Sequence, residues 1–235
     1  MSAKGILYLF PVTLGDNMPE DVLPEKNIKL IQTLSHFICE NAREARAFLK
    51  RCGYPDISKA QLSELNKHAD LKSITSFLDP VMQGHDMGLM SDAGCPGIAD
   101  PGADIMKLAH QKGIRVVPLV GPSSIVLSIM ASGFNGQNFA FNGYLPIDKN
   151  EKLKRLRDLE RLATDYRQAQ YFIETPYRNS QLFEDLLKTL RPATQLLVAT
   201  HLTLPDERII VKSVAEWKKS ALPDFQKKPT VFGIQ

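Results

Sequence analysis

The sequence predicts an α/β protein of two α/β domains: an N-terminal, mostly parallel sheet with helices on both faces, and a C-terminal mixed sheet with helices. In the first half, short apolar runs of strand length alternate with stretches of helical periodicity. The second half mixes strand-like and helical stretches without that regular alternation, which is typical of a mixed sheet. A Gly-Pro turn at residues 120–124 separates the two patterns, so we predict domains at 1–119 and 120–235.

Four apolar runs in the first half predict strands, at residues 5–10, 36–39, 87–90 and 114–119. Helical periodicity predicts helices at residues 25–34, 40–52, 71–83 and 103–112. We expect a break near Pro80 in the third of these helices, and helix ends at Gly53 and Gly113. The polar, irregular stretch 54–69, which contains His68, predicts an exposed loop.

The second half predicts five more strands, at residues 138–145, 170–173, 195–199, 208–213 and 230–234. Helices are predicted at residues 125–131, 150–164, 178–190 and 214–219.

The composition is that of a globular protein from a reducing compartment. Of the 235 residues, 43% are hydrophobic, and the net charge of +3 permits an RNA partner without requiring one. Cys39, Cys52 and Cys95 are odd in number and widely spaced, which excludes a disulfide framework. The amino terminus lacks a signal-peptide core, and no apolar run approaches the ~20 residues of a membrane span. We therefore expect a cytoplasmic protein with no membrane segment.

The glycine-rich loop at residues 91–102 is the first candidate site. It follows a predicted strand and precedes a helix, and its glycines and prolines give it a defined shape. Ligands of parallel sheets bind beyond the carboxyl ends of the strands, so the loop predicts a small-molecule site. Asp92 would then accept from a ligand donor or brace the loop. The alternative is an ordinary βα turn.

Three common site types are excluded. The loop after the first strand has neither the GxGxxG pattern of dinucleotide-binding folds nor the GxxxxGK[ST] pattern of P-loops, which argues against NAD and ATP. His36 and Cys39 lie three apart in a predicted strand, so they point to opposite faces and form no metal site. We expect no metal.

Five segments, in order along the chain, share the loop sequences of one known family. Residues 5–16 resemble its first strand and Pro-Thr-Pro-Ile-Gly-Asn loop, and residues 91–102 its Ser-Asp-Ala-Gly-Thr-Pro and Asp-Pro-Gly segment. Residues 118–124 resemble Pro-x-Pro-Gly-Pro-Ser-Ala, residues 141–146 Phe-x-Gly-Phe-Leu-Pro, and residues 172–178 Phe-Tyr-Glu-Ser-Pro-His-Arg. Over nearly the whole chain the sequence resembles the tetrapyrrole (corrin/porphyrin) methylase superfamily, the class III S-adenosylmethionine (SAM)-dependent methyltransferases. The nearest likeness is to the branch that 2′-O-methylates a cytidine ribose of small-subunit ribosomal RNA.

The resemblance implies that SAM, the cofactor, is folded in a cleft between the two domains and is held mainly by backbone groups. The implied residues of the first loops are Val12, Thr13, Leu14, Asp92, Ala93, Gly94, Pro96, Ile98, Ser123 and Ser124. The implied walls from the second domain are Phe172, Ile173, Leu202, Pro229 and Thr230. It also implies a homodimer, for whose interface Phe134, Phe139 and Phe141 are candidates. Alternatively, those three residues belong to the core of the second domain.

Two departures from the branch fall on the substrate side. Its Glu-Asp-Thr-Arg appears here at residues 40–43 with Asn41 in the second place, and its Arg-Glu-Leu-Thr-Lys ends here in Leu204. These changes remove groups that could contact RNA, whereas the cofactor loops implied by the resemblance are nearly intact. The sequence thus supports SAM more directly than RNA.

Transfer to a hydroxyl needs a group that removes its proton. Glu40 is the leading candidate for base or substrate anchor, and Arg43 is a candidate phosphate contact, unless the two pair across one helical turn. His201 is the second candidate, with a structural role as its alternative. Trp217 either stacks on a base or packs in the core.

We therefore predict a SAM-dependent methyltransferase acting on a ribose hydroxyl of ribosomal RNA. The alternatives are a methylase of the same superfamily acting on a tetrapyrrole-like small molecule or a protein, and a SAM-binding module that has lost catalysis. A further alternative, an α/β binding domain without SAM, requires the loop similarities to be accidental.

Overall fold

The computed structural model describes residues 3–65 and 71–235 and divides the chain into two units, Met1–Ser123 and Ser124–Gln235. His68 lies outside the described residues. Each unit contains its own five-stranded sheet. The boundary after Leu119 stays a prediction.

The N-terminal unit contains a sheet in which every strand pair is parallel. Its strands are β1 (Ile6–Phe10), β2 (His36–Cys39), β3 (Gln61–Glu64), β4 (Met87–Met90) and β5 (Arg115–Pro118). Their order across the sheet is β3-β2-β4-β1-β5. Parallel strands place all their carboxyl ends at one edge, so the loops that follow β1, β4 and β5 are neighbours.

Helices cover both faces of this sheet, as predicted. They are α1 (Pro19–Val22), α2 (Glu25–Ile31), α3 (Ala42–Arg51), α4 (Leu71–Ser76), α5 (Asp79–Met82) and α6 (Ala103–Gln111). Alternate strand residues point to opposite faces, and each face has a separate apolar cluster. Phe37 belongs to the cluster that includes Phe48 of α3, and its neighbour Ile38 to the one that includes Ile105 of α6.

One local prediction in this unit is wrong. The supposed loop after residue 54 contains β3, which pairs with β2 at the edge of the sheet. Its polar sequence hides it, because an edge strand with half-exposed side chains needs no apolar run. The helical stretch predicted at 71–83 has the expected break near Pro80: it forms two helices, and the break precedes Asp79. Pro80 lies in the first turn of α5, where a missing N–H costs nothing.

The C-terminal unit contains the predicted mixed sheet. Its strands are β6 (Phe139–Tyr144), β7 (Ala169–Glu174), β8 (Gln195–Thr200), β9 (Arg208–Ser213) and β10 (Thr230–Ile234), in the order β6-β7-β10-β8-β9. Only β6 and β7 are parallel, and the other pairs are antiparallel. Its helices are α7 (Ser124–Ser132), α8 (Lys149–Asp165), α9 (Asn179–Thr189) and α10 (Val214–Trp217).

An aromatic cluster forms the core of the C-terminal unit. Phe172 and Phe232 are stacked with ring centroids 6.1 Å apart, and Phe183 meets Trp217 edge to face at 5.3 Å. Trp217 is 2% exposed, and its indole N–H donates to the carbonyl of Leu196 at 2.8 Å. Core packing, rather than base stacking, is therefore the role of Trp217.

Among the described residues, no helix is both long enough and apolar enough to cross a membrane.

Candidate functional site

Three loops of the N-terminal unit meet at the carboxyl edge of its sheet. The amide of Val12, after β1, donates to the carbonyl of Gly94, after β4, at 2.9 Å. The thiol of Cys95 lies 3.5 Å from the carbonyl of Pro122, after β5. The loops that the resemblance assigns to the cofactor thus form one assembly within this unit.

Glycine makes the close approach of these loops possible at two positions. Gly94 has φ +73°, and a β-carbon there would lie 3.2 Å from the side chain of Leu14. A β-carbon at Gly121 would collide with the ring of Pro11. A side chain at Gly94 would force the second loop away from the first, and one at Gly121 would force the third loop away from the first.

The predicted cofactor residues of this unit differ in exposure. Val12, Thr13, Gly94 and Pro96 are buried. Leu14 and Ser123 are half-buried, and Asp92, Ala93 and Ile98 are exposed. A site that binds a ligand through its backbone needs buried residues that hold the loop in place and exposed residues that the ligand can reach.

Arg51 fixes the shape of the first loop, a role that the sequence analysis did not identify. Its guanidinium donates to the carbonyls of Gly15 at 3.3 Å and Asn17 at 3.4 Å. It also donates to the hydroxyl of Thr13 at 3.1 Å, which in turn donates to the carbonyl of Gly15 at 2.7 Å. Because Arg51 ends α3, a long-range contact of its side chain has no signature in the local pattern.

The same sheet edge is acidic. Burial, followed by the charges of Glu40 and Asp92, raises the pKa of Asp100 to about 6, against a smaller opposing effect of a hydrogen bond from Ser91. Burial and the charge of Glu44 also raise the pKa of Asp92. Asp100 was part of the glycine-rich loop in the sequence, but nothing there distinguished it from Asp92. A site that keeps carboxylates close together attracts positive charge.

Asp92 braces this edge as well as facing it. Its carboxylate accepts a hydrogen bond from the backbone N–H of Asn41, at the end of β2. The side chain of Asn41 in turn caps α3, accepting from the backbone of Arg43 at 2.9 Å and of Glu44 at 3.4 Å. Asparagine and aspartate cap helices about equally well, so the change from the branch's carboxylate keeps the local structure. Arg43 itself is exposed on the first turn of α3.

The predicted residues of the C-terminal unit lie along one edge of its own sheet. Thr230, the first residue of β10, pairs with Glu174 at the end of β7 and with Thr200 at the end of β8. Pro229 accepts from the amide of His201 at 3.1 Å. Ile173 precedes Glu174, Leu202 follows His201, and Ser124 begins α7. Phe172 is an exception, because its ring is fully buried in the aromatic core and leaves only backbone for a ligand.

His201 belongs to a neutralised cluster of charges. Its Nδ1 lies 2.8 Å from Asp206, whose other oxygen lies 2.9 Å from the ammonium group of Lys228. Hydrogen bonds from Lys228 and then His201 lower the pKa of Asp206 to about 2. The structural role weighed for His201 is therefore the one its contacts favour.

The two units differ in charge. The first holds 13 Lys and Arg against 14 Asp and Glu, a formal charge of −1, and the second holds 16 against 12, a charge of +4. Within the described residues, no group of three or more His, Cys, Asp and Glu is placed to hold a metal ion.

Comparison with known proteins agrees with this architecture. The family described as Tetrapyrrole (Corrin/Porphyrin) Methylases matches residues 17–218. "Ribosomal RNA small subunit methyltransferase I" of Leptospira biflexa is 30% identical, over 88% of this chain and 81% of that protein. The Escherichia coli protein of the same name is 27% identical, over 92% of this chain and 71% of its own length.

Solved structures share the fold. The methyltransferase CobJ superposes with a TM-score of 0.65 at 18% identity, over 98% of this chain and 93% of that one. Uroporphyrin-III C-methyl transferase from Thermus thermophilus, in complex with S-adenyl homocysteine, superposes with a TM-score of 0.57 at 17% identity, over 98% and 97%.

The parallel sheet with its three interlocked loops and the mixed sheet make up the fold of these solved structures. The family match and the curated relatives identify the chain as a SAM-dependent methyltransferase. The chain belongs to the tetrapyrrole methylase family.

Proposed function

We propose that the protein transfers the methyl group of SAM to a ribose hydroxyl of ribosomal RNA. The observation that carries the proposal is the assembly of the three loops of the N-terminal unit at an acidic sheet edge. Its supports are the hydrogen bond from Val12 to Gly94 and the carboxylates of Asp92 and Asp100. The RNA substrate is supported by the relatives' names and by the positive charge of the C-terminal unit.

In this proposal the loop backbone holds SAM. Backbone groups of residues 12–14, 92–98 and 123–124 bind the cofactor, and the acidic edge favours its sulfonium cation over a neutral ligand. From the C-terminal unit, Ile173, Leu202, Pro229 and Thr230 are proposed as further cofactor residues. Their positions at one sheet edge support the assignment.

The chemistry is an in-line displacement. SAM held by these loops would supply an activated methyl group to the hydroxyl oxygen, and the sulfonium would leave as a neutral thioether. In this proposal the hydroxyl proton goes to Asp100 or Glu40, and the charge of Glu40 helps to raise the pKa of Asp100. A carboxylate with a pKa near 6 is ionised at neutral pH and is a stronger base than an ordinary one. Arg43, exposed on the first turn of α3, is the proposed phosphate contact.

Positioning supplies much of the rate enhancement in such a reaction. Correct orientation of two reactants is worth roughly 7 to 11 kcal/mol, and a general base adds about 10² to 10⁴ in rate. The rigid loops therefore contribute more than any single side chain. In this scheme His201, held by Asp206, has a structural role.

Calorimetry with SAM tests the first half of the proposal. We expect a Kd near or below ~1 μM, which corresponds to about 8 kcal/mol, and no measurable heat with ATP or NAD. Transfer of a labelled methyl group to small-subunit RNA that lacks modification tests the second half. SAM binding without transfer to RNA would contradict the proposed substrate. Absence of SAM binding would contradict the proposed function altogether.

We also propose that the protein is a cytoplasmic homodimer. Phe139 and Met130 are exposed apolar residues of the C-terminal unit, and Phe134 and Phe141 are half-buried. A permanent two-fold interface commonly buries 2,000 Å² or more in total, which accounts for such residues on a surface. Light scattering at low micromolar concentration distinguishes a mass of one chain, 26.3 kDa, from twice that value.

A further inference from the structure

A groove in the C-terminal unit lies beside the sheet edge formed by β7 and β10. Its volume is about 550 Å³, and its walls come from the turn after β7 and from the segment that precedes β10. The lining includes Pro176, Tyr177, Ser180, Leu222, Phe225 and Lys227. Neither the sequence motifs nor the proposed cofactor contacts assign it a role.

Tyr177 is the most exposed large hydrophobic residue of the described chain, with 81% of its surface accessible. Its ring is nevertheless oriented, because the guanidinium of Arg178 lies 5.4 Å from the ring centroid. Arg178 is itself held by the buried carboxylate of Glu174 at 2.7 Å and by the hydroxyl of Thr175 at 3.2 Å. The groove thus contains an exposed aromatic ring, that of Tyr177, beside a guanidinium that Glu174 and Thr175 hold in place.

The other walls are suited to a flat ligand with a charged attachment. Phe225, a member of the aromatic core, and Leu222, which is 59% exposed, supply apolar surface. Ser180 and Gln226 supply groups that donate and accept hydrogen bonds. Lys227 lines the groove and is exposed, and Asp224, which also lines it, lies 3.2 Å from the ammonium group of Lys228.

We propose that this groove binds one unstacked nucleobase of a single-stranded RNA segment, with Tyr177 stacking on the base and Lys227 meeting a backbone phosphate. A planar base has the shape and mixed polarity of the groove, and stacking on aromatic side chains is the general mode of single-strand recognition. The formal charge of +4 on the unit favours a polyanionic ligand over a neutral or cationic one. The inference rests on the proposed function for its choice of RNA as substrate.

Fluorescence of a single-stranded RNA oligonucleotide that contains 2-aminopurine tests the groove directly. Stacking on Tyr177 quenches this fluorescence, so titration gives both a Kd and a signature of stacking. We expect Tyr177→Ala to lose the quenching and to bind RNA about tenfold more weakly, whereas Tyr177→Phe retains both. Lys227→Gln should reduce the slope of log Kd against log salt by about one.

Tyr166→Ala is the matched control, because Tyr166 is also an exposed tyrosine of this unit, outside the groove. Unchanged quenching and affinity in Tyr177→Ala, with methyl transfer to RNA intact in the wild type, would overturn the groove and leave the proposed function standing. SAM binding by calorimetry in the same variants separates the two further, since a loss of RNA affinity with unaltered SAM affinity is expected. If an unlabelled peptide reverses the quenching by the wild-type protein and unlabelled RNA does not, the proposal is also overturned.

Discussion

Asp100 and Asp206 lie in loops that follow strands at comparable places in the two units, yet their environments are opposite. Asp100 follows β4 and is half-buried next to Glu40 and Asp92, which raises its pKa to about 6. Asp206 follows β8 and contacts Lys228 and His201, which lowers its pKa to about 2. At neutral pH the ionised carboxylate of Asp100 destabilises the folded state, whereas that of Asp206 stabilises it.

The difference separates a reactive site from a structural one. A fold that neutralises its carboxylates gains stability, so an uncompensated acidic edge is retained where charge has a use. The N-terminal unit, with its formal charge of −1, is suited to a sulfonium, and the C-terminal unit, with +4, to a polyanion. Perturbing each carboxylate and the loops around it tests this division.

Gly94→Val should have the largest effect. A branched side chain at φ +73° strains the loop by roughly 1 to 3 kcal/mol and meets Leu14, so we expect SAM binding to be lost in calorimetry. The unfolding transition should remain cooperative. Gly136→Val is the control, because a β-carbon there has nothing within 4 Å. Wild-type affinity in Gly94→Val would place SAM elsewhere.

Arg51→Met should reduce the affinity for SAM by about tenfold, because three hydrogen bonds that shape the first loop are lost, each worth about 1 kcal/mol before relaxation. Arg46→Met removes a guanidinium from the same helix, where it is exposed, and should leave the affinity unchanged. Equal affinities for the two variants would show that the loop holds its shape without the clamp.

Asp100→Asn should stabilise the protein above pH 6. The pKa of Asp100 is higher in the folded protein, about 6, than its ordinary value of 3.8, so the folded state binds more protons between those values. Stability from this group is therefore lost as the pH rises through that window. Allowing for solvent screening, we expect the variant to gain ~1 kcal/mol at pH 7 to 8 and nothing at pH 4. Denaturant unfolding at both pH values measures it.

Asp206→Asn should have the smallest effect, with the opposite sign. The pKa of Asp206 is lower in the folded protein, so its stabilising contribution is present at neutral pH and is lost as the pH falls from about 4 toward about 2. The variant should unfold at a slightly lower temperature at pH 7 and keep its SAM affinity. A destabilisation that persists unchanged at low pH would mean that packing, not charge, accounts for it.

The sequence predicted most of the fold because its strands are either apolar runs or lie between clear turns. The strand β2 was placed at its exact bounds, since His36 follows a turn and Cys39 precedes a helix start. β3 was missed because Gln61 and Glu64, at its ends, are exposed, and only its pairing with β2 identifies it. The local pattern of apolar residues indicates which side chains are buried, and an edge strand such as β3 buries few of its side chains.

The candidate site was predicted at the level of loops but not of side-chain contacts. Gly94 and Pro96 predicted a loop of defined conformation, and in the structure Gly94 of this loop forms a β-bridge with Val12. Arg51 and Asp100 were not identified, because the significance of each arises from residues distant in sequence. The assignment of individual residues to SAM stays a prediction.

The order β3-β2-β4-β1-β5 has a consequence for how the chain folds during synthesis. β1 and β2 are the first strands made, but β4 lies between them, so neither can complete its pairing until residue 90 has left the ribosome. Until then, the nascent chain displays two strands with unpaired backbone edges. Such non-local pairing slows folding, and the time needed to translate residues 40–90 is time in which chaperones have those edges to bind.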